Sequence, residues 1–538
     1  MKKKYLYPLA LACTLCLFTA CSDDDDVNTW EQLPQTEISG ENANLTFNGN
    51  TLSEGSVQLS VNNATAGVLT LKNVVPGYPS VPVSVTLEEQ TNGNFSFSGQ
   101  ADLNALPEET TTKNQETVAL LKVTVNGTIS LDGTVKATIA ADGPAFYLGS
   151  YSGSTLKLNY SGTPLLGKTA AYSIEQNVPV LTLGGVLPGE PVVSVPAIYP
   201  QQGSFTFETT TAAGTSVNGE GKFENGSLTL NLNVKLSVTA QGGLTGEWPL
   251  STTIGEPVGW SDINYSDYAP VRIVWTAHDD NATNGGNISK LGTLVGSHLM
   301  AEVLNSITLT DDGNLTARYY PDIVTGTDSE DGEATLQWLM SKLGAYQTTP
   351  IAREWLTSPK NLMQWYTKDG VIYLVPNLVQ ILQQAAEDQS DASLAENIDA
   401  IMGILQTLES LSDEELQGLL AAFGQQAGID LSIINPQLIR QVAGWMTTGV
   451  PLKYTLDGNG SLRLYADKEM VSPFMPLLLS FLPTLQNKFD EMIAAADEQT
   501  APLLKMVMAL LGLEKFTDLD TVWNENTDEF AVGLGFQK

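Results

Sequence analysis

The sequence predicts a multidomain chain of β plus α+β class: two tandem antiparallel β-modules, each a sandwich or a barrel, followed by a larger helix-rich α+β domain. Three observations carry that prediction. Residues 45–239 read as strands of period two punctuated by Gly, Asn, Ser and Pro. One motif within them recurs at a fixed spacing, and beyond Gly255 the apolar pattern changes to steps of three and four. The boundaries that follow are a leader over 1–20, an acidic tether over 21–40, β-modules over 41–145 and 146–250, and a C-terminal α+β domain over 251–538.

Composition narrows the partners. Sixty acidic against 26 basic side chains leave a formal charge of −34, and 42% of residues are apolar. A polyanion needs Lys and Arg to neutralise its phosphates, so nucleic acid is excluded as a partner.

The chain opens with Lys2, Lys3 and Lys4, runs through the apolar stretch Tyr5 to Phe18 and reaches the small residues Thr19 and Ala20. This is the layout of a secretory leader, too short in its apolar part to serve as a permanent membrane helix. All three cysteines, Cys13, Cys16 and Cys21, fall here. Leu17-Phe18-Thr19-Ala20-Cys21 resembles the lipobox of bacterial lipoproteins, although Phe18 stands where that family prefers a smaller aliphatic residue. Cys16, preceded by Leu15, fits less well. The resemblance implies cleavage before Cys21 and acylation of its sulfur, and two or three acyl chains suffice for stable membrane anchoring. The run Asp23, Asp24, Asp25 and Asp26 is similar to the acidic export tag of surface lipoproteins in the Bacteroidetes. The whole chain resembles the large multidomain lipoproteins of that group, which implies a lipid-anchored, surface-exposed place on the outer membrane. With Cys21 lipidated, no thiol remains for catalysis, metal binding or a disulfide.

Within the β-region, Leu228-Thr229-Leu230-Asn231-Leu232-Asn233-Val234-Lys235-Leu236 alternates strictly, as a half-buried strand does. Val68-Leu69-Thr70-Leu71 followed by Val74-Val75-Pro76-Gly77 and Pro79 recurs as Val180-Leu181-Thr182-Leu183 followed by Val186-Leu187-Pro188-Gly189 and Pro191, an offset of 112 residues (188 − 76 = 112). Val125-Asn126-Gly127 and Val217-Asn218-Gly219 repeat at a shorter offset, which one shortened loop explains. Two copies of one module are the expectation.

In the C-terminal region Leu394, Ile398, Ile401, Leu405 and Leu408 paint one helical stripe, with Ser393 and Glu396 as a capping box. Ser412 and Glu415 repeat that signal, while Asn435-Pro436 and Ser472-Pro473 place a capping side chain before a helical proline. Hairpins are expected from Ile307 to Tyr319 across Asp311-Asp312-Gly313, and from Tyr454 to Tyr465 across Asp457-Gly458-Asn459-Gly460. Phe530, Val532, Leu534 and Phe536 alternate with small residues and predict a closing strand.

Candidate chemistry is sparse. His278 precedes Asp279 and Asp280, yet no second ligand stands at metal spacing, so a surface loop is the reading. His298 reads as a core or cap residue. Asp457 to Ser461 has Leu462 where a calcium loop needs glycine and lacks its terminal glutamate, so a turn explains it. Asp328, Glu330, Asp331 and Glu333 form a solvated acidic loop. There is no nucleophile elbow, P-loop or dinucleotide glycine pattern. No catalytic residue, metal or cofactor is assigned, and the expectation is a non-enzymatic binding protein.

Two segments, Phe474 to Pro483 and Leu503 to Leu511, are apolar on nearly every face and neither is long enough to cross a membrane. Such helices either fill a core or line an apolar cavity. The cavity reading assigns Phe474, Met475, Leu478, Phe481, Leu482, Met506 and Met508 to a lipid-like or other hydrophobic ligand, since methionine adapts to irregular shapes. The alternative is a glycan-binding lipoprotein associated with polysaccharide uptake, with Trp248, Trp260 and Trp275 as stacking platforms. No tryptophan lies between Leu45 and Thr239.

Overall fold

The computed structural model describes residues 28–103, 120–176, 178–258, 262–278, 285–321, 338, 341–342, 344–350, 352–389, 411–427, 435–495 and 500–538. Cys21, Asp23 to Asp26, the acidic loop at 328–333 and the stripe from Leu394 to Leu408 lie outside them. The chain is β-rich, with several curled sheets and a helix-bearing C-terminal region. It divides into two compact units, Met1–Phe146 and Tyr147–Lys538, so residues 147–250 share a unit with the C-terminal region.

In the first unit, β4 (Ser56–Asn63), β5 (Ala66–Val75), β6 (Tyr78–Glu89), β7 (Phe95–Leu103), β8 (Leu121–Ile129) and β9 (Val135–Asp142) form an antiparallel meander. The segment before it bends at Gly40, whose φ of +63° suits glycine. On one side of the bend β1 (Ile38–Ser39) pairs with β4, and on the other β2 (Ala43–Phe47) runs parallel to β9; β3 (Asn50–Thr51) returns on β2. One short segment thereby pairs with both the first meander strand and the last and covers part of each edge. The inward positions are Leu, Val, Ile and Phe, among them Leu59, Val83, Phe95, Val123 and Ile139, packed into one core. The tether expected over 21–40 ends early. Leu33 is 3% and Ile38 6% exposed, because both apolar side chains cover that core.

The second unit opens on the same plan of pairing. The strands β10 (Gly149–Ser152) and β11 (Leu156–Tyr160) flank a short turn at Gly153–Thr155. β10 pairs with β13 (Thr169–Glu175), and β11 runs parallel to β18 (Ser227–Lys235). β13, β14 (Val178–Leu187) and β15 (Glu190–Pro196) complete one sheet; β12 (Thr163–Pro164), β16 (Ser204–Thr210) and β17 (Ser216–Glu224) complete the other. The left-handed residues Asn73 and Gly185 occupy matching bulges in β5 and β14.

The C-terminal region is built on a ten-stranded antiparallel sheet. Its path is β19 (Gly246–Pro249), β23 (Leu304–Leu309), β24 (Asn314–Tyr319), β26 (Met363–Lys368), β27 (Val371–Pro376), β28 (Val450–Leu456), β29 (Ser461–Asp467), β30 (Thr527–Gln537) and β22 (Val271–Ala277), with β25 (Leu356–Thr357) on β24. A separate hairpin joins β20 (Gly255–Val258) to β21 (Asp262–Tyr265). Both expected hairpins and the alternating last strand form. The sheet curls until Leu250, just past β19, bridges Phe536 in β30, enclosing a core with Trp248, Trp365, Leu462 and Phe536.

The free edge of β22 is covered by a helix. After α1 (Val238–Gln241) comes α2 (Gly285–Val303), whose Ser289, Thr293 and Ser297 recur every fourth residue on one face. Ser297 Oγ accepts from Val271 N and donates to Val271 O; Thr293 Oγ1 accepts from Ile273 N, and Ser289 Oγ donates to Ile273 O. Gly292 and Gly296 allow the approach, since a methyl at either would lie within 3.0 Å of Ile273 or Val271. Hydroxyls thus replace the strand that an open edge invites.

The remaining helices are α3 (Leu378–Gln389), α4 (Asp413–Ala427), α5 (Pro436–Thr448), α6 (Lys468–Val471), α7 (Met475–Ser480), α8 (Leu482–Ala495), α9 (Thr500–Leu511) and α10 (Asp518–Asn526). Ser412 and Glu415 close a capping box on α4, and Asn435 Oδ1 accepts from Gln437 N at the start of α5. Ser472-Pro473 does not start a helix by capping. Asp467 caps α6 one turn earlier through Met470 N, and Ser472 Oγ donates to Lys468 O instead.

Candidate functional site

The residues singled out at the C-terminus divide between buried and exposed positions. Met475 is buried with Trp275, Val522 and Trp523, and Met508 is buried; Phe474 stacks on Trp445 at 5.4 Å. Leu478, Phe481 and Met506 are 52%, 43% and 39% exposed, and Leu482 lines an open groove of about 450 Å³ beside Leu479. The segments split between core and solvent: α7 buries Met475 and α9 buries Leu504 and Met508, while α8 buries no residue. The tryptophans are placed differently from a stacking platform. Trp248 is 2% exposed beneath Lys538, Trp275 is 7% exposed with Trp523 and Phe530 edge-on to it, and Trp260 lies outside the described residues.

The histidines behave as the spacing predicts. His278 pairs with Asp528 at 3.1 Å on the surface. His298 is buried against Ala345 O, and burial lowers its pKa. Asp457 accepts from Asn459 N and Ser461 N within its turn, bonds that hold its carboxyl below the usual range. Among the described residues no group of three His, Cys, Asp or Glu could hold a metal ion.

The pocket with the strongest chemistry lies where the strands of residues 149–235 meet the ten-stranded sheet. It is a cleft of about 370 Å³, within the range of small-molecule sites. Leu187, Pro188 and Pro191 form one wall, Val375, Pro376, Leu378 and Val379 a second, and Ala443 and Met446 of α5 a third. The proline markers of the repeat therefore become a binding wall in its second occurrence. Polar groups are few: Gln364, Asn377, Thr447 and Lys168.

Lys168 sits between β12 and β13 on a loop clamped by amides from far along the chain. Asn361 Nδ2 donates to Thr163 O and Pro164 O at 3.0 and 2.9 Å. Asn377 Nδ2 donates to Leu166 O, and Gln380 Oε1 accepts from Leu166 N. Asn377 also caps α3 through Gln380 N, so one residue fixes both loop and helix. Gly167 turns with φ +70° against Val379, a contact without room for a side chain.

Lys168 is the one charged residue in the lining, and among the described residues no carboxylate lies at ion-pair distance from it. Burial lowers its amine from 10.5 to about 8. The cause is desolvation alone, with no neighbouring carboxylate among the described residues to offset it. Sequence reasoning missed this lysine. Its only local signal is one cation in the apolar loop Leu165-Leu166-Gly167-Lys168.

A second, open groove of about 630 Å³ crosses the outer face of β16 to β18, where Thr206, Glu220, Lys222 and Asn231 project beside Tyr199, which is 37% exposed. Compared with known proteins, the chain matches no family model, no curated protein and no solved structure.

Proposed function

We propose that this chain is a non-enzymatic binding protein of the outer-membrane surface, held by lipid on Cys21, whose pocket at Lys168 takes a small amphipathic ligand with an acidic head. The carrying observation is an ammonium without an ionic partner at the mouth of an apolar cleft. An apolar tail meets Leu187, Pro188, Val379 and Met446, while the head supplies the charge that Lys168 lacks. No general base or acid stands beside the amine in that lining, which suits retention of a ligand rather than turnover. In this reading residues 41–145 are a copy of the same β-module serving as a spacer above the membrane.

Decanoate titrated calorimetrically into the chain lacking its leader tests the proposal, with decanol as the neutral control. Decanoate is expected to bind at least about tenfold tighter than decanol, and Lys168→Met to abolish that preference; tenfold is about 1.4 kcal/mol. Equal affinity for the two, or no binding of either, would sink it. The polar groove with its exposed Tyr199 favours glycan binding as a second reading. Glycan-array signals that vanish on Tyr199→Ala and persist in Lys168→Met would establish that reading in place of the first.

A further inference from the structure

A second feature stands apart from the Lys168 pocket, on the outer face of the ten-stranded sheet. Arg272 on β22 is opposite Gly533 of β30, and Arg463 on β29 is opposite Gly535 of the same strand. The two arginines flank β30 in adjacent rows of one face. Neither glycine offers a side chain to separate them. Gly533 cannot carry one, since a methyl there would meet Leu464 O at 2.3 Å, and Gly535 lies as closely under Tyr268 O. The arms therefore flank a strand that puts no side chain between them, with the Tyr268 carbonyl lying over Gly535.

Their hydrogen bonding is incomplete. Arg272 Nη1 donates to Ile273 O, but Arg272 Nε, Arg463 Nε and Arg463 Nη2 are buried with no partner. Orphaned guanidinium donors are costly, and two like charges side by side add repulsion. Burial and then the charge of Arg272 lower the Arg463 pKa, which shows that the two sense each other. Tyr465 and Tyr265 lie under the guanidiniums at 4.7 and 5.9 Å from ring centre to Cζ, contacts that hold the planes without satisfying the N–H groups. Two carboxylates act on the pair: Asp267 Oδ1 stands 3.9 Å from Arg272 Nε, beyond hydrogen-bond length, on a side chain 75% exposed, and Glu529 of β30 attracts Arg463 through space. Lys453 in the same row is already paired with Asp467.

We propose that Arg272 and Arg463 form a binding site for a tetrahedral oxyanion, a sulfate or phosphate group, which takes the position that Asp267 only partly fills. The arrangement suits it: two guanidiniums with orphaned donors flank one strand in adjacent rows of one face, and the exposed acid can swing out to admit the ligand. In a chain of net charge −34 such a site must be built locally, because the overall field repels anions.

The test is titration of the leaderless chain with sodium sulfate, sodium phosphate and sodium acetate, each against sodium chloride at matched ionic strength. The readouts are thermal unfolding and the arginine Nε–H resonances. Saturable stabilisation by sulfate or phosphate, with Arg272 and Arg463 Nε–H signals shifting together, is expected; acetate should act at least about tenfold more weakly. Arg463→Gln should weaken the oxyanion at least about tenfold, and Asp267→Asn should tighten it. A sulfate arm stronger than the phosphate arm identifies a sulfate-bearing ligand, and the reverse a phosphate-bearing one. Sulfate and phosphate curves that superpose on chloride in the unaltered chain would overturn the proposal, whether or not the variants fold. So would saturation that leaves both Nε–H signals in place.

Discussion

Lys168→Met should make the free protein more stable while abolishing its preference for acidic ligands. Burial lowers the Lys168 amine from 10.5 to about 8. At about 1.36 kcal/mol per unit, the protonated amine opposes folding by up to about 3 kcal/mol, an upper figure because part of the side chain meets solvent. The folded pKa lies below the unfolded one, so between pH 8 and 10.5 the unfolded chain holds a proton that the folded chain has released. Stability from this group therefore rises with pH across that window, and below pH 8 the full penalty is present. Methionine keeps the unbranched apolar stem and removes the charged head. Urea unfolding of both proteins at pH 7 and at pH 10 isolates the effect, because other titrating groups cancel in the difference. The variant should lead by about 1–3 kcal/mol at pH 7, and the gap should close as the pH reaches 10. A variant less stable than the parent at pH 7, or a gap independent of pH, would refute the reasoning. Decanoate bound at the amine should reverse the order, since it restores the ionic partner.

Three further outcomes follow from the packing. Ser297→Ala leaves both the N–H and the C=O of Val271 unpaired in a fully buried place, and should cost about 1–3 kcal/mol with faster hydrogen exchange at the Val271 amide; unchanged exchange would mean that α2 does not hold the edge of β22. Gly167→Ala puts a methyl 2.6 Å from Val379 Cγ2 at φ +70°, so a loss of about 1–3 kcal/mol in thermal unfolding and weaker decanoate binding are expected together. Glu302→Gln removes the charge of a buried pair with Arg353, whose guanidinium packs on Tyr320 and Trp355, and should cost about 3–5 kcal/mol in urea unfolding.

What was legible in the chain was what neighbours in sequence decide. Asp457-Gly458-Asn459-Gly460 makes a turn because its own side chain and glycines satisfy it, and Phe530 to Phe536 makes a strand because alternation sorts its two faces. Ser412 and Asn435 cap helices through bonds spanning two or three residues. Ser472-Pro473 misled for the same reason inverted: Asp467 had already started a helix, and a locally plausible cap was left over. The apolar runs at 474–483 and 503–511 carried hydropathy without direction. Whether Met508 is buried and Met506 exposed depends on which side of α9 meets its neighbours. The Lys168 pocket was illegible because the amides that shape it, Asn361 and Asn377, come from about 200 residues away.

The sequence alone determined the strand-rich first half, the matched Pro-Gly turns, the change to helices and the net charge of −34. Each of these is written in composition or in contacts a few residues long. Tertiary structure decided that one prolyl turn of the pair lines a pocket, that Trp248 and Trp275 are core rather than platform, and that Lys168 is desolvated while Arg272 and Arg463 converge. Burial and the removal of water are properties of the assembled surface, and a side chain's charge acquires its chemistry only when distant segments exclude the solvent around it.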